Sequence, residues 1–310
     1  MVIRMGNGEV KDGEILFVYE SKMSNPNGDP DNENIPRMDY SNGINLVSDV
    51  RLKRYIRDYF TDNLNEDNNQ VFVRRGLKVQ NATERASEFE KDLDKIISKC
   101  IDIRMFGATI ALKGESATKE KGKKEKGKSI KLTGPVQFTW GFSLNQVELV
   151  NSYSITSTFS SESGNQQGTI GKDYRVYYSI LAFYGVISSR RAKESKFTSE
   201  DLRQLDRALL NALQSQSTRT KIGQFPLLYI RTEYEKPRFI GDLRDYLKLN
   251  SNSKHIRTID DYSLDITNLV EEIKAHPDCT KANFWLNKKL GLSNKTILSE
   301  KTFSEMNANE

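Results

Sequence analysis

Short apolar runs recur along the chain between polar and glycine-rich stretches. Runs of four to eight apolar residues bounded by turn formers are typical of buried strands. This pattern, together with one longer apolar run, predicts strands at residues 14–19, 102–108, 136–142, 175–187 and 225–230. Residues 152–158 also have β-leaning composition. We interpret residues 225–230 as the last clear strand.

Helical spacing of apolar residues separates these strands. It predicts helices at residues 48–60, at 82–99, from Thr198 onward, at 240–249 and at 265–275. In the first helix, Ser48 is a suitable N-cap, and apolar side chains line one face. Thr198 and Asp201 form a capping-box-like start for the helix that follows them. The order of strands and helices favours an α+β ferredoxin-like core with long insertions.

Two polar insertions interrupt this core. Residues 113–131 contain eight lysines against three glutamates, with three glycines and no aromatic residue. Such a composition buries no core, so residues 112–131 are predicted to be a flexible loop. Residues 157–173 are polar and punctuated by glycine, and we expect them to project as a hairpin or arm.

The composition narrows the possible functions. The formal net charge is +5, which suits a polyanionic partner and equally suits a basic protein without one. Two cysteines and two histidines leave little for a zinc site or for histidine acid/base chemistry, so no metal, no cofactor and no catalysis are expected. No run of 18 apolar residues and no secretory signal is present, which favours a cytoplasmic protein without membrane partners.

The polar face of the predicted helix at residues 48–60 is the sharpest local feature. Arg51, Lys53, Arg54 and Arg57 lie on the side opposite Tyr55. Four cations along about two turns fit a phosphate backbone. A solvated helix surface explains the same pattern equally well.

A longer series of segments carries a family resemblance. It comprises FVYESKMSNPNGDP at 17–30, PRMD at 36–39, VSDV at 47–50 with the cations that follow, DIRMFGA at 102–108 and GPVQFTWGFS at 134–143. Residues 174–185 and the helix from Thr198 continue it. Together they resemble the "Cas seven" backbone family of type I CRISPR Cascade complexes, more closely type I-B than type I-C, over residues 14–235.

The resemblance implies one RRM-like palm domain spanning residues 1–310. Its insertions would form a finger-like helical region at 61–100, the lysine-rich loop at 112–131, a thumb at 157–173 and peripheral helices at 240–310. The chain would be a non-catalytic subunit that oligomerises along a guide RNA (crRNA). Its other partners would be target DNA, as a guide–target heteroduplex, and further Cascade subunits.

Carried onto this sequence, the resemblance implies an RNA-binding surface at the palm edge, on the first helix and on neighbouring loops. The candidate RNA-binding residues are Lys22, Asn25, Asn27, Arg37, Arg51, Lys53, Arg54, Arg57, Phe106, Gly107, Lys172, Arg219 and Lys221. The aromatic RRM signature is absent, so base stacking on a bare sheet is not expected. We expect contacts to RNA shape and phosphates.

Two alternatives stay open. The first is a metal-assisted endoribonuclease that uses loop carboxylates such as Asp29, Asp31, Asp39 or Asp173. The second is a basic scaffold that assembles on proteins. The alternation of Asp29, Asp31 and Glu33 does not continue as a calcium loop, because Asn34 and Tyr40 stand where glycine and glutamate are needed.

Overall fold

The computed structural model describes most of the chain: residues 9–64, 68–74, 81–111, 129–151, 154–156, 170–294, 298 and 302–307. The α-helices of these regions are α1 Asp49–Asn63, α2 Ala82–Ser87, α3 Leu93–Lys99, α4 Ile101–Phe106, α5 Ser189–Ser195, α6 Ser199–Asn211 and α7 Thr267–Ala275. Short 3-10 helices occur at Leu243–Tyr246 and Ile259–Asp261.

The strands of the N-terminal half are β1 Gly13–Ser24, β2 Gly28–Asp29, β3 Ile35–Pro36, β4 Met38–Asp39, β5 Ile44–Val47, β6 Gly107–Ala111, β7 Ser129–Thr133, β8 Val136–Phe138 and β9 Gly141–Ser143. Those of the C-terminal half are β10 Ser154–Thr156, β11 Ile170–Lys172, β12 Val176–Ile187, β13 Gln224–Tyr234, β14 Lys248–Asn250, β15 Ser263–Asp265, β16 Cys279–Leu286 and β17 Phe303–Glu305. The fold is therefore α+β.

One large sheet organises the molecule. Its strands follow the order β17, β16, β13, β1, β12, β9, β5 and β4, and β8 also pairs with β12. The central strand β1 is antiparallel to both neighbours, so that Phe17 lies opposite Phe183 on β12 and Tyr229 on β13. The apolar run at 14–19 thus forms a strand buried on both faces.

Separate hydrophobic layers cover the two faces of this sheet. Phe17 and Tyr19 pack with α1 and α6 on one face. Leu16 and Val18 face a layer that includes α7 and the segments around it. Because both faces are covered, the central strands offer no open sheet surface on which a nucleobase could stack. Truncating Phe17 to alanine would cost about 3–5 kcal/mol of folding free energy.

A smaller core lies beside the main one. Phe72, Phe89, Ile97 and Cys100 form its centre, and Ile110 of the hairpin β6–β7 packs with them. The finger-like region expected at 61–100 therefore has its own hydrophobic cluster, to which α4 and this hairpin also contribute. Burial raises the pKa of the Cys100 thiol to about 12, which keeps it protonated and unreactive.

Several predicted elements need correction. Residues 102–108 are mainly helix α4, not a strand. The helix was not predicted because the six successive side chains from Ile101 to Phe106 are all buried, so their spacing carries no helical periodicity. The helix expected at 82–99 is broken into α2 and α3 by Glu90 and Lys91, which both have positive φ. The strand expected at 136–142 is split into β8 and β9 around Trp140.

The C-terminal region differs most from expectation. The helix predicted at 240–249 is a single 3-10 turn followed by strand β14, whereas the one at 265–275 is confirmed as α7. The strand at 225–230 is confirmed but is not the last, since β16 pairs with β13 and extends the main sheet. Residues 240–310 therefore contain strands as well as helix.

The two polar insertions fall largely outside the described residues. Of the lysine-rich loop, residues 112–128 lie outside them, whereas 129–131 belong to strand β7. Of the arm at 157–173, residues 157–169 lie outside them. The flanking strands β10 and β11 pair antiparallel, with Ile155 opposite Gly171.

Candidate nucleic-acid interface

The end of β1, the loop that follows it and the start of α1 meet the turn before β13. The main-chain N–H of Lys22 donates to the Gly223 carbonyl at 2.8 Å, and that of Asn25 donates to the Thr220 carbonyl at 2.8 Å. Gly223 has φ of 99°, and a Cβ there would lie 2.4 Å from the Lys22 carbonyl oxygen. This close approach of backbones holds Lys22, Asn25 and Lys221 in one surface region.

Lys221 and Arg51 form the cationic centre of this region. The Lys221 ammonium donates to the Asn25 carbonyl oxygen. Burial and the nearby Arg51 guanidinium lower the pKa of Lys221 to about 7. Arg51 stacks on the Tyr55 ring, with 4.1 Å between the guanidinium carbon and the ring centroid. Within the described parts of the chain, neither cation has an ion pair with a carboxylate.

Tyr55 and Gln224 connect the segments that carry Arg51 and Lys221 through hydrogen bonds. The buried Tyr55 hydroxyl donates to the Pro26 carbonyl at 3.2 Å and lies 3.1 Å from the side-chain oxygen of Gln224. The Gln224 amide donates in turn to the Lys221 carbonyl at 3.1 Å. Gln224 was not among the candidates from sequence. Its only signal there is a polar side chain at the start of an apolar strand.

Asn25 and Asn27 act mainly inside the protein. The Asn25 amide donates to the Asn34 carbonyl at 2.7 Å, and the side chain is buried. The Asn27 side-chain oxygen accepts from the main-chain N–H of Ser48 at 2.9 Å and from its hydroxyl at 3.0 Å. Ser48 caps α1, so Asn27 connects the loop after β1 to the first turn of that helix.

The basic face of α1 is largely neutralised by carboxylates. Lys53 pairs with Asp49 at 3.1 Å, Arg54 with Asp58 at 2.7 Å and Arg57 with Asp102 at 2.9 Å. The Asp49 and Asp58 partners follow from i,i+4 spacing, whereas Asp102 is distant in sequence. Arg51 is the member of this face that has no such pair among the described residues.

Phe106 and Gly107 lie at the junction of α4 and β6. The Lys53 and Arg57 cations lie 5.6 and 5.3 Å from the centroid of the buried Phe106 ring. Gly107 has φ of 74°, and a Cβ there would lie 2.2 Å from the Leu132 carbonyl oxygen. Both residues therefore have structural roles next to the basic face of α1.

The remaining candidates are Lys22, Lys172, Arg219 and Arg37. Lys22 is exposed at the end of β1. Lys172 pairs with Glu33 at 2.6 Å, and Arg219 lies 3.5 Å from Asp173. Arg37 pairs with Asp29 at 3.1 Å and lies beside Trp140.

Two of the loop carboxylates considered for catalysis, Asp39 and Asp173, accept hydrogen bonds from nearby side chains. The Arg175 guanidinium lowers the pKa of Asp173, and hydrogen bonds from Asn42 lower the pKa of Asp39. No group of three or more His, Cys, Asp or Glu side chains among the described residues is placed to hold a metal ion. In the same part of the chain, every helix is too short or too polar to cross a bilayer.

Comparison with solved structures places this architecture in a known class. A chain of a structure described as a CRISPR RNA-guided surveillance complex matches with a TM-score of 0.52, 14% identity and 96% coverage of both chains. A second, described as a CRISPR RNA-guided surveillance complex in a pre-nicking state, matches with a TM-score of 0.53 and 12% identity, covering 96% of this chain and 97% of the other. The fold is that of these subunits.

Sequence comparison then gives the family. The family model for CRISPR-associated protein Cas7 matches residues 11–267. A CRISPR-associated protein Cas7 of Haloferax volcanii is 32% identical over 290 residues, covering 86% of this chain and 83% of the relative. The chain belongs to the Cas7 family, which confirms the resemblance seen in its sequence.

Proposed function

We propose that this chain is a non-catalytic backbone subunit of a CRISPR surveillance complex that binds the phosphates of a single-stranded guide RNA. The observation that carries the proposal is the adjacent pair of cations Arg51 and Lys221, which faces no described carboxylate. Like charges held together in a partly dehydrated site repel each other, and a bound anion relieves that repulsion. A phosphate group has the required charge and acceptor oxygens.

The arrangement of strands and helices supports an RRM-like palm. The strands β13, β1, β12 and β9 lie side by side in that order. Along the chain, α1 follows β1, and α6 lies between β12 and β13. Both helices pack on one face of the sheet. This is the β-α-β-β-α-β pattern of ferredoxin-like folds. In this arrangement Arg51 and Lys221 lie at the edge of the palm.

The projecting regions would complete the assembly. We assign the thumb to residues 157–173, extending from the paired strands β10 and β11. We assign the fingers to 61–100 with the second hydrophobic cluster. The partners proposed are crRNA, target DNA as a guide–target heteroduplex, further copies of the chain and other Cascade subunits. The family membership and the similarity to surveillance-complex chains support this role.

RNA titration at several salt concentrations tests the proposal. The logarithm of the affinity for a fluorescent single-stranded RNA should fall linearly with the logarithm of the salt concentration. Arg51→Gln should reduce the magnitude of this slope by about 0.7, because one phosphate contact is lost. Arg190→Gln is the matched control, since that guanidinium on α5 is 82% exposed. Equal affinity and slope for Arg51→Gln and wild type would remove this centre from the RNA footprint.

A cleavage assay distinguishes the endoribonuclease alternative from the proposed non-catalytic function. The carboxylates of Asp39 and Asp173 have lowered pKa values, so neither is suited to hold a proton as a general acid near neutral pH. Under the proposed function, incubation with labelled repeat RNA and magnesium should leave the RNA intact. Specific products that disappear in Asp173→Asn would contradict the non-catalytic assignment.

A further inference from the structure

An open cavity lies beside the loop that precedes α1. Its volume is about 150 Å³, and its lining includes Asp29, Pro36, Arg37, Tyr40 and Trp140. Tyr40 is 67% exposed and Trp140 is 48% exposed. Two large aromatic side chains therefore reach solvent at one small polar-rimmed cavity.

The backbone at Trp140 is held in place. The Trp140 carbonyl oxygen accepts a hydrogen bond from the Arg244 guanidinium at 2.7 Å. The next residue, Gly141, packs so closely on Phe183 that an added Cβ would lie 2.4 Å from that ring. Trp140 thus follows β8 and precedes β9 as an exposed ring on an anchored backbone.

Arg37 adds a cation to this aromatic surface. Its guanidinium carbon lies 5.9 Å from the centroid of the Trp140 ring and pairs with Asp29 at 3.1 Å. A guanidinium plane and an aromatic face are the two surfaces on which unpaired nucleobases stack. The cavity combines both.

The cavity is connected to the cationic centre through Asn27. The main-chain N–H of Arg37 donates to the Asn27 carbonyl at 3.0 Å, and the Asn27 side chain holds Ser48 at the start of α1. Arg51 follows in the first turn of the same helix. The same asparagine therefore holds both the loop that carries Arg37 and the start of the helix that carries Arg51.

We propose that Trp140, with Arg37 and Tyr40, forms a stacking site for one unpaired nucleobase of a single-stranded nucleic acid. This inference rests on the proposed function. The size and the cation beside the ring fit one planar base.

Binding of three probes of equal length tests the site: oligoadenylate RNA, oligoadenylate DNA and an abasic deoxyribose strand. Trp140→Ala should weaken binding of an adenylate strand by about 5-fold to 100-fold, as expected for one stacked base. It should leave the abasic strand unaffected. A loss confined to RNA assigns the base to a guide, and one confined to DNA assigns it to a target strand. Phe239→Ala, at 41% exposure away from the cavity, is the control and should change neither.

Fluorescence gives a second readout that does not depend on truncating Trp140. The chain has two tryptophans, so Trp285→Phe leaves Trp140 as the single tryptophan, which is excited selectively over the tyrosines at the red edge of the absorption band. Its emission should be quenched by oligoadenylate and unchanged by the abasic strand.

Three results would overturn the proposal. Trp140→Ala could bind adenylate strands as tightly as wild type does, or it could lose as much affinity for the abasic strand as for the adenylate strands. It could also alter the oligomeric mass without nucleic acid, which would make the cavity a protein contact. If wild type binds none of the probes, the proposed RNA-binding function fails as well; if wild type binds and only these results appear, the stacking site alone fails.

Discussion

The Arg57 guanidinium on α1 donates to the Asp102 carboxylate on α4 at 2.9 Å, and the Asp102 side chain is fully buried. The same carboxylate accepts main-chain N–H bonds from Phe72 at 2.7 Å and Val73 at 3.1 Å. One buried acid thus joins α1, α4 and the segment at 68–74. Arg57 therefore has a structural role at this point of the fold.

Arg57→Gln should therefore lower the free energy of unfolding by about 3–5 kcal/mol, because it leaves the buried Asp102 carboxylate without its counter-charge. Urea denaturation followed by circular dichroism measures the change. Arg51→Gln is the matched control on the same helix and should lose no more than about 1 kcal/mol, since Arg51 has no described carboxylate partner. Equal stability of Arg57→Gln and wild type would restore Arg57 as a candidate for direct phosphate contact.

Local pattern was sufficient for much of this fold and insufficient for the site. The Ser48 cap and the buried face of α1 are confirmed, because both follow from spacing within a single helix. The pairing of Arg57 with Asp102 is not encoded by spacing, and it turns an apparent phosphate contact into an internal one. The proximity of Arg51 and Lys221 likewise depends on the tertiary packing of the turn before β13.

The same distinction explains the errors in secondary structure. Residues 102–108 read as a strand because a helix buried on all sides shows no polar face. β16 was missed as a strand because only its central Ala282, Asn283 and Phe284 are buried and polar residues make up much of its N-terminal half. Both depend on what packs against the segment, which the sequence pattern does not contain.

Gly107 should not accept a side chain. Its φ of 74° disfavours every residue but glycine, and a Cβ would lie 2.2 Å from the Leu132 carbonyl oxygen and 2.4 Å from the Gly134 nitrogen. Gly107→Ala should therefore destabilise the protein by more than about 1–3 kcal/mol and separate β6 from β7. Thermal denaturation measures the loss.

Gly171→Ala provides the comparison for that variant. Its added Cβ would lie 3.2 Å from Cγ1 and 3.3 Å from Cδ1 of the Ile155 side chain, and it meets no backbone atom of the described residues. We expect a change within about 0.5 kcal/mol. A similar loss for the two glycine variants would mean that the close backbone approach at Gly107 is not what constrains it.

Glu14 should anchor the segment after β13 to the centre of the sheet. Its buried carboxylate accepts from the hydroxyls of Tyr184 at 2.6 Å and Tyr234 at 2.5 Å, and from the main-chain N–H groups of Ile240 and Gly241, both at 2.9 Å. Glu14→Gln places an amide donor against these donors. We expect a loss of about 1–3 kcal/mol and faster hydrogen exchange at residues 240–241. Unchanged exchange there would show that other contacts hold the segment.

The lowered pKa of Lys221 gives a pH dependence of folding with a defined sign. Because the folded-state pKa is about 7 against the ordinary 10.5, the unfolded chain binds the extra proton between these values, and stability contributed by this group rises with pH across that window. Below pH 7 the lysine is charged in both states and its burial penalty is complete. Lys221→Met should therefore stabilise the protein most below pH 7 and less towards pH 10.

RNA binding should depend on pH in the opposite direction. A phosphate beside Lys221 favours its charged form, so binding above pH 7 takes up a proton, and wild-type affinity should fall by up to about tenfold per pH unit as the group titrates. Lys221→Arg keeps its charge throughout this range, and its affinity should stay level between pH 7 and 9. Fluorescence anisotropy with single-stranded RNA at constant ionic strength measures both curves. Parallel curves for the two proteins would show that Lys221 does not meet a phosphate and would leave Arg51 to bind it alone.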